Sequence, residues 1–166
     1  MEGEESVKDK PVIKALVMDV DGTLTDGGLY IGADGEVMKR FHVKDGYAIH
    51  DLLPKMGIIP IIITGRTSKI VAQRCSELGI TRLVQGSSNK IEDLKKILEE
   101  ENIDIRQTAY MGDDLNDYDC MVQAGLKGCP KDAADEIKEI ADYVTVRDGG
   151  NGAVREFVEW IRKSGE

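Results

Sequence analysis

The feature that most constrains the fold is the regular alternation of short apolar runs with segments that have helical spacing. Short runs of apolar, β-branched residues bounded by turn residues are typical of buried strands, whereas apolar residues three and four apart indicate helices. Alternation of this kind predicts a parallel sheet. We therefore predict an α/β fold, a Rossmann-like doubly wound parallel sheet with helices on both faces.

The predicted strands span 12–18, 58–63, 82–85, 108–111, 126–129 and 143–146, and the predicted helices span 47–56, 68–78, 91–101, 118–123, 133–140 and 154–163. Pro60 lies inside the second strand and has no N–H group to donate to a neighbour. We expect the paired part of that strand to begin at or after Pro60. Residues 44–46 are expected to lead into the first helix.

Length and charge limit the kinds of partner. With 166 residues and an apolar fraction of 41%, the chain predicts one domain over 12–166 after a flexible, polar segment, 1–11. The net charge of −9, without a basic block, argues against nucleic acid and anionic membranes as partners. Cys75, Cys120 and Cys129 lack metal or redox spacing, which favours buried thiols in a reducing compartment. With no signal peptide or membrane span in this sequence, we expect a cytoplasmic protein.

The first strand ends in Asp19 and Asp21, followed by Gly22. Residues two apart in an extended segment point to the same side, so both carboxylates can face one site. Gly22 allows a sharp turn and a close approach to a ligand. Two adjacent carboxylates repel each other, so the site needs a cation, a shared proton, or both. Mg²⁺, which prefers oxygen ligands, is the simplest such cation.

Other polar side chains also follow predicted strands. Thr64, Gly65 and Arg66 end the second strand, Lys90 comes shortly after the third, and Asp113 follows the fourth. Parallel sheets bind ligands at the carboxyl ends of their strands. Singly, each residue has an ordinary structural explanation, such as a helix cap or a solvated lysine. Together they predict a single site.

The motifs DVDGT, ITGR, QGSSNK and YMGDDLND resemble, in this order, the four motifs of haloacid dehalogenase-type phosphatases. The resemblance implies a Mg²⁺-dependent phosphomonoesterase that works through an aspartyl-phosphate. It makes Asp19 the nucleophile and Asp21 the general acid and base. It makes Asp113 a Mg²⁺ ligand together with Asp19 and the backbone carbonyl of Asp21.

The same resemblance assigns the residues that bind the substrate. Thr64 would hold phosphoryl oxygens, and Lys90 would neutralise them and restrain the nucleophile. Arg66 is the expected partner of a substrate carboxylate, with Lys44 and Arg155 as further candidates. Asp114 and Asp117 either orient Lys90 or hold a metal-bound water. The predicted substrate-binding set is Thr64, Gly65, Arg66, Lys90 and Lys44.

The segment between the first two motifs predicts a β-hairpin flap, 28–42, and one helix, which leaves no room for a cap domain. An isolated hairpin is barely stable in water, and this one carries Leu29, Tyr30, Ile31 and Phe41. The chain therefore resembles the capless branch of the superfamily. That branch implies a homotetramer in which each hairpin walls a neighbour's site.

Within the capless branch, KDGYAI and the late DGGNGAVREF resemble the 3-deoxy-D-manno-octulosonate 8-phosphate phosphatases. Similar segments occur in N-acylneuraminate (or deaminoneuraminate) 9-phosphate phosphatases and in the tetramerising tail domain of cytidylyltransferases. Arg66 favours the octulosonate enzymes, whereas His50 stands where they usually have Arg. Both sugar-acid phosphates therefore remain candidate substrates. The glycine-rich stretch 147–152 either closes over the substrate or is a plain loop.

Overall fold

The computed structural model describes residues 11–165 and has a central sheet of six parallel strands. Its strand order is β5-β4-β1-β6-β7-β8, with β1 and β6 in the middle. The predicted α/β fold is confirmed. The strands are β1 (Ala15–Met18), β4 (Ile59–Ile63), β5 (Arg82–Val84), β6 (Thr108–Met111), β7 (Leu126–Cys129) and β8 (Tyr143–Val144), while β2 (Tyr30–Gly32) and β3 (Gly35–Met38) form a separate antiparallel pair.

Helices cover both faces of the sheet, as predicted. The helices are α1 (Val43–Tyr47), α2 (Leu53–Lys55), α3 (Lys69–Glu77), α4 (Lys90–Glu101), α5 (Tyr118–Met121), α6 (Asp135–Ile140) and α7 (Ala153–Ser164). Buried side chains of α3 and α7 share one core with Leu16 and Met18 of β1. Those of α4, α5 and α6 share the other with Ala15 and Val17. Because successive strand residues point to opposite faces, β1 belongs to both cores.

The first helical region begins earlier than predicted. α1 starts at Val43, and a π-helical segment, Ala48–Leu52, joins it to α2. His42 caps α1, since its Nδ1 accepts a hydrogen bond from the Lys44 N–H at 3.2 Å. Gly46 lies inside this helix, and a Cβ there would lie 2.5 Å from the Arg74 guanidinium. The prediction that residues 44–46 only lead into the helix was wrong.

The expectation for Pro60 was wrong by one residue. Ile59 already pairs with β1, and its N–H donates to the Lys14 carbonyl at 3.0 Å. The missing N–H of Pro60 would face the other side of β4, where pairing with β5 begins only at Ile61. Proline is therefore tolerated in this central strand because the missing donor has no acceptor opposite it.

The predicted hairpin flap is present, but its strands are shorter than the predicted segment, 28–42. A two-residue turn, Ala33 and Asp34, joins β2 to β3. Both strands are largely exposed, and Ile31 has an exposed fraction of 59%. Among residues 11–165, this hairpin and the α1–α2 region are the elements between β1 and β4, so no cap domain is present there.

The three cysteines are free and buried, in agreement with the expectation of buried thiols. The cytoplasmic location inferred from them stays a prediction. No helix in the described part of the chain is both long enough and apolar enough to cross a membrane. The predicted segment 1–11 lies, apart from Pro11, outside the described residues, and the division into this segment and a domain over 12–166 stays a prediction.

The start of α7 depends on a carboxylate from another helix. Gly152, the residue before α7, has no side chain to cap it, and Asp45 of α1 accepts a hydrogen bond from the Arg155 N–H at 2.9 Å instead. Burial raises the pKa of Asp45 above its usual value, and the contact with Arg155 opposes that shift. Asp45 therefore joins the two helices.

We expect Asp45→Ala to lower the free energy of unfolding by about 1 kcal/mol, because the cap of α7 is lost. Urea unfolding followed by circular dichroism measures this change. Asp51→Ala, at an exposed position of the same helical region, should stay within about 0.5 kcal/mol of the unchanged protein. Equal stabilities of the two variants would contradict the capping role.

Candidate active site

The predicted site residues meet at the carboxyl edge of the sheet. Asp19 directly follows β1, Thr64 directly follows β4, and Asp113 lies just beyond β6. Together they line a cavity of about 160 Å³. The residues that line it are Asp19, Asp21, Thr64, Gly65, Arg66, Asp113, Asp114 and Asn116.

Lys90 forms a buried ion pair with the first carboxylate. Its Nζ lies 3.0 Å from Asp19 Oδ1 and 2.9 Å from Asp117 Oδ1, and its side chain is 4% exposed. Burial acts to lower the pKa of Lys90, but the charges of Asp117 and Asp19 outweigh it and raise the pKa. The ammonium therefore remains charged and is shared by two carboxylates.

Asp117 holds Lys90 in place. Its Oδ1 also accepts a hydrogen bond from the Tyr110 hydroxyl at 2.7 Å, and its Oδ2 accepts one from the Asp113 N–H at 3.1 Å. The side chain is fully buried. With both oxygens occupied by protein donors, Asp117 matches the first of its two candidate roles, the orientation of Lys90. Tyr110 was not foreseen, because a strand tyrosine gives no sequence signal for such a contact.

Asp19 and Asp113 crowd negative charge into a small space. One oxygen atom from each of Asp19, Asp113 and Asp117 lies within 4.8 Å of the others. Burial and then the charge of Asp19 raise the pKa of Asp113 to about 8. Because Asp117 is already bonded to Lys90 and Tyr110, Asp19 and Asp113 are the pair with the capacity to hold a cation. The Asp21 carbonyl accepts no hydrogen bond within residues 11–165, so it too can serve as a ligand.

Glycines allow this crowding. Gly22 has a φ of +91°, and a Cβ there would lie 1.9 Å from Asp113 Oδ2. A Cβ on Gly112 would lie 2.5 Å from the Asp117 carboxyl carbon. The backbone can therefore pass beside both carboxylates only where it carries no side chain.

Asp21 has a partner that the sequence did not indicate. Lys39, just after β3, has its Nζ 2.7 Å from Asp21 Oδ1 and 2.9 Å from Glu36 Oε2. Burial acts to lower the pKa of Lys39, but the hydrogen bonds to Asp21 and Glu36 outweigh it and raise the pKa. No spacing rule relates residues 21 and 39, which meet only through the folded hairpin.

Lys44, a predicted binding residue, and His50 both lie apart from the cavity. Lys44 is exposed on α1 and does not line it, so its predicted binding role stays a prediction. His50 is also exposed and lies 3.4 Å from the carboxylate of Asp51. Asn116, in contrast, lines the cavity although the sequence did not single it out.

The glycine-rich stretch 147–152 packs against the first motif. Gly150 donates its N–H to the Thr23 carbonyl at 3.1 Å, and the Arg40 guanidinium donates to the Gly150 carbonyl at 3.0 Å. A Cβ on Gly149 would lie 2.0 Å from the Gly22 carbonyl oxygen. In this structure the stretch packs against the backbone of the turn that follows β1.

A larger groove lies at the opposite edge of the sheet. It has a volume of about 620 Å³ and is lined mainly by apolar residues, among them Val12, Met56 and Trp160. No carboxylate lines it, so it lacks the groups that make the smaller cavity reactive. The candidate catalytic carboxylates line the 160 Å³ cavity instead.

Comparison with known proteins agrees with this geometry. The profile of the haloacid dehalogenase-like hydrolases matches residues 63–157. The 3-deoxy-D-manno-octulosonate 8-phosphate phosphatase KdsC of Escherichia coli K12 is 47% identical over 149 residues, which cover 90% of this chain and 79% of that protein. The chain belongs to the haloacid dehalogenase-like hydrolases.

Solved structures of similar hydrolases superpose over most of the chain. The Yersinia pestis 3-deoxy-D-manno-octulosonate 8-phosphate phosphatase is 42% identical, with a TM-score of 0.88, and covers 92% of this chain and 82% of its own. The Moraxella catarrhalis enzyme, solved with magnesium, phosphate and a KDO molecule, is 39% identical, with a TM-score of 0.87, covering 92% of this chain and 87% of its own.

For this haloacid dehalogenase-like hydrolase, we expect Mg²⁺ to raise the melting temperature by about 5 °C at saturating concentration, because it relieves the repulsion between Asp19 and Asp113. Asp113→Asn should melt at or above the unchanged protein without Mg²⁺ and gain little when Mg²⁺ is added. Thermal unfolding with and without Mg²⁺ measures both effects.

Asp119→Asn is the matched control, since Asp119 is exposed on α5. It should respond to Mg²⁺ as the unchanged protein does. The assignment of Asp113 as a cation ligand would be wrong if Asp113→Asn showed the full response.

Proposed function

We propose that this protein is a Mg²⁺-dependent phosphomonoesterase that hydrolyses 3-deoxy-D-manno-octulosonate 8-phosphate through an aspartyl-phosphate intermediate. The observation that carries the proposal is the buried contact of Lys90 with Asp19, which lines the same cavity as Thr64. It supports a site that combines an anionic nucleophile, a fixed cation and a phosphate-binding hydroxyl. The relatives at 47% identity are named for this substrate.

In the first step Asp19 attacks phosphorus. A carboxylate is ionised at neutral pH and needs no separate base. Burial and the charge of Asp117 raise the pKa of Asp19, and Lys90 acts against them. Lys90 therefore favours the anionic form of the nucleophile and offsets the charge of the incoming phosphate. Thr64 and the neighbouring backbone N–H groups hold the phosphoryl oxygens.

Proton transfer completes the reaction. As the P–O bond to the sugar breaks, Asp21 gives its proton to the leaving alkoxide, which is a poor leaving group without it. Asp21 then takes a proton from the water that attacks the aspartyl-phosphate, and inorganic phosphate leaves. Asp21 regains its proton and Asp19 its free carboxylate, so the cycle closes.

The donor set fits Mg²⁺, since the crowded carboxylates of Asp19 and Asp113 supply the oxygen ligands that this ion prefers. Asp19, Asp113 and the Asp21 carbonyl would hold it. When bound, Mg²⁺ supplies positive charge that offsets the negative charge of the phosphoryl group. The Moraxella catarrhalis enzyme was solved with magnesium and phosphate.

We further propose that the protein is a homotetramer in which each hairpin, 28–42, walls a neighbour's site. Two observations support this. The cavity of about 160 Å³ is smaller than the roughly 300 Å³ of pockets that enclose a small ligand, so the sugar acid extends beyond it. The hairpin also exposes an apolar surface, and such surfaces mark interaction sites. It consists of Leu29, Tyr30, Ile31, Val37 and Met38.

Phosphate release from 3-deoxy-D-manno-octulosonate 8-phosphate, compared with N-acylneuraminate 9-phosphate, tests the function. We expect a higher kcat/KM for the octulosonate, loss of activity with a chelator, and a loss of at least about 1,000-fold in Asp19→Asn. A higher kcat/KM for N-acylneuraminate 9-phosphate would make that compound, and not the octulosonate, the assigned substrate. Unchanged activity in Asp19→Asn would overturn the mechanism, and no turnover of either compound would favour a non-catalytic tetramerising domain.

Ile31→Lys tests the assembly, because a charge in an apolar interface should weaken it by 2 kcal/mol or more, about 30-fold in the dissociation constant. Analytical ultracentrifugation at micromolar concentration should show a tetramer for the unchanged protein and smaller species for the variant. Val146→Lys, at an exposed valine outside the hairpin, is the control and should remain tetrameric. A monomeric unchanged protein would refute the assembly.

A further inference from the structure

The base of the hairpin carries a half-buried charged cluster although its strands are exposed. The Lys39 side chain is 2% exposed, while those of its two partners, Asp21 and Glu36, are 20% and 17% exposed. A buried ammonium is costly unless it is paired and hydrogen-bonded. The burial of Lys39 therefore depends on these two carboxylates.

The cluster connects the hairpin to two sides of the cavity. Lys39 reaches the first motif through Asp21, and Glu36 accepts a hydrogen bond from the hydroxyl of Ser68, the residue that caps α3. Ser68 follows the second motif by only a few residues. The base of the hairpin is thus bonded to residues that follow β1 and β4 in its own chain.

The contact with Asp21 is one-sided. Lys39 bonds Oδ1, and Oδ2 accepts no hydrogen bond within residues 11–165, while the carboxyl group lines the cavity. A side chain held by one oxygen keeps a fixed rotamer and leaves the other oxygen available for proton transfer. Such fixing matters because a misplacement of about 1 Å can lower a rate by about 100-fold.

We propose that Lys39 is a positioning residue that aims Asp21 Oδ2 at the leaving-group oxygen, with Glu36 and Ser68 holding Lys39 in turn. The inference rests on the proposed function, since it assigns to Lys39 the orientation of the general acid. Lys39 itself transfers no proton and contacts no reacting atom. The hairpin therefore contributes to catalysis in its own subunit, in addition to the proposed contact with a neighbour.

The alternative is that Lys39 only anchors the hairpin, or that it binds the substrate. These roles differ in their dependence on the leaving group. A sugar alkoxide needs a proton in order to leave, whereas nitrophenolate does not. An anchoring role would lower kcat/KM for both substrates alike, and a binding role would raise KM for the sugar acid without lowering kcat.

The test compares Lys39→Met with the unchanged protein on 3-deoxy-D-manno-octulosonate 8-phosphate and on p-nitrophenyl phosphate. We use kcat/KM, because it reports the steps up to the first release of the leaving group. We expect a loss of about 10- to 100-fold on the sugar phosphate, mainly in kcat, and less than about 3-fold on the nitrophenyl ester. Lys39→Arg should recover part of the loss.

Two further variants make the result specific to Asp21. Lys39→Met added to Asp21→Asn should cause no further loss on the sugar phosphate, because residues that act through one another are not additive. Glu36→Gln, which keeps Lys39 but removes the negative charge of one of its partners, should lower kcat/KM on the sugar phosphate, relative to that on the nitrophenyl ester, by a smaller factor. Lys55→Met, at an exposed position of α2, is the matched control. It should leave the ratio of the two kcat/KM values, for the sugar phosphate and for the nitrophenyl ester, unchanged.

The melting temperatures of the same variants test the contact without activity. The shifts caused by Lys39→Met and Asp21→Asn should not add in the double variant.

Equal losses on both substrates, or additive losses in the double variant, would overturn the positioning role. An unchanged protein that hydrolyses other alkyl phosphates but not the octulosonate would refute the proposed substrate, and the comparison would then use one of those alkyl phosphates. With no turnover at all, additive melting shifts would still overturn the inference.

Discussion

The site depends on one buried ammonium, that of Lys90, shared by Asp19 and Asp117. Removing one partner of a buried ion pair generally costs about 3–5 kcal/mol, because the other charge is left uncompensated. The carboxylates of this site can be packed so closely only because Lys90 lies between two of them. The same contact prepares the site for a phosphate, whose charge would otherwise meet unbalanced anions.

The parallel sheet brings these groups together. β1 lies between β4 and β6, so the residues that follow these three strands are neighbours without any long loop. The two cores on either side fix the positions of α4 and α7, and therefore of Lys90 and of the glycine-rich stretch. The continuous apolar run of β1, which packs into both cores, therefore also positions Asp19 beside its partners.

Much of this was predictable from the sequence because the relevant signals are local. The strand that ends in Asp19, the helix predicted over 68–78 and the turn at Gly22 are each predicted from a few adjacent residues. The start of α1 was missed because the residue that caps it, His42, is not one of the residue types that usually cap helices. Long-range contacts such as those of Lys39 and Tyr110 have no sequence period and could not be predicted.

Lys39 and Arg40 are consecutive, yet they bond to opposite sides of the turn after β1. One reaches Asp21, and the other reaches the carbonyl of Gly150, whose N–H is bonded to Thr23. A displacement of the hairpin base would therefore pull on the proton donor and on its backbone support at the same time. A partner that binds the outer face of β2 and β3 would therefore change the position of Asp21 without contacting any reacting group.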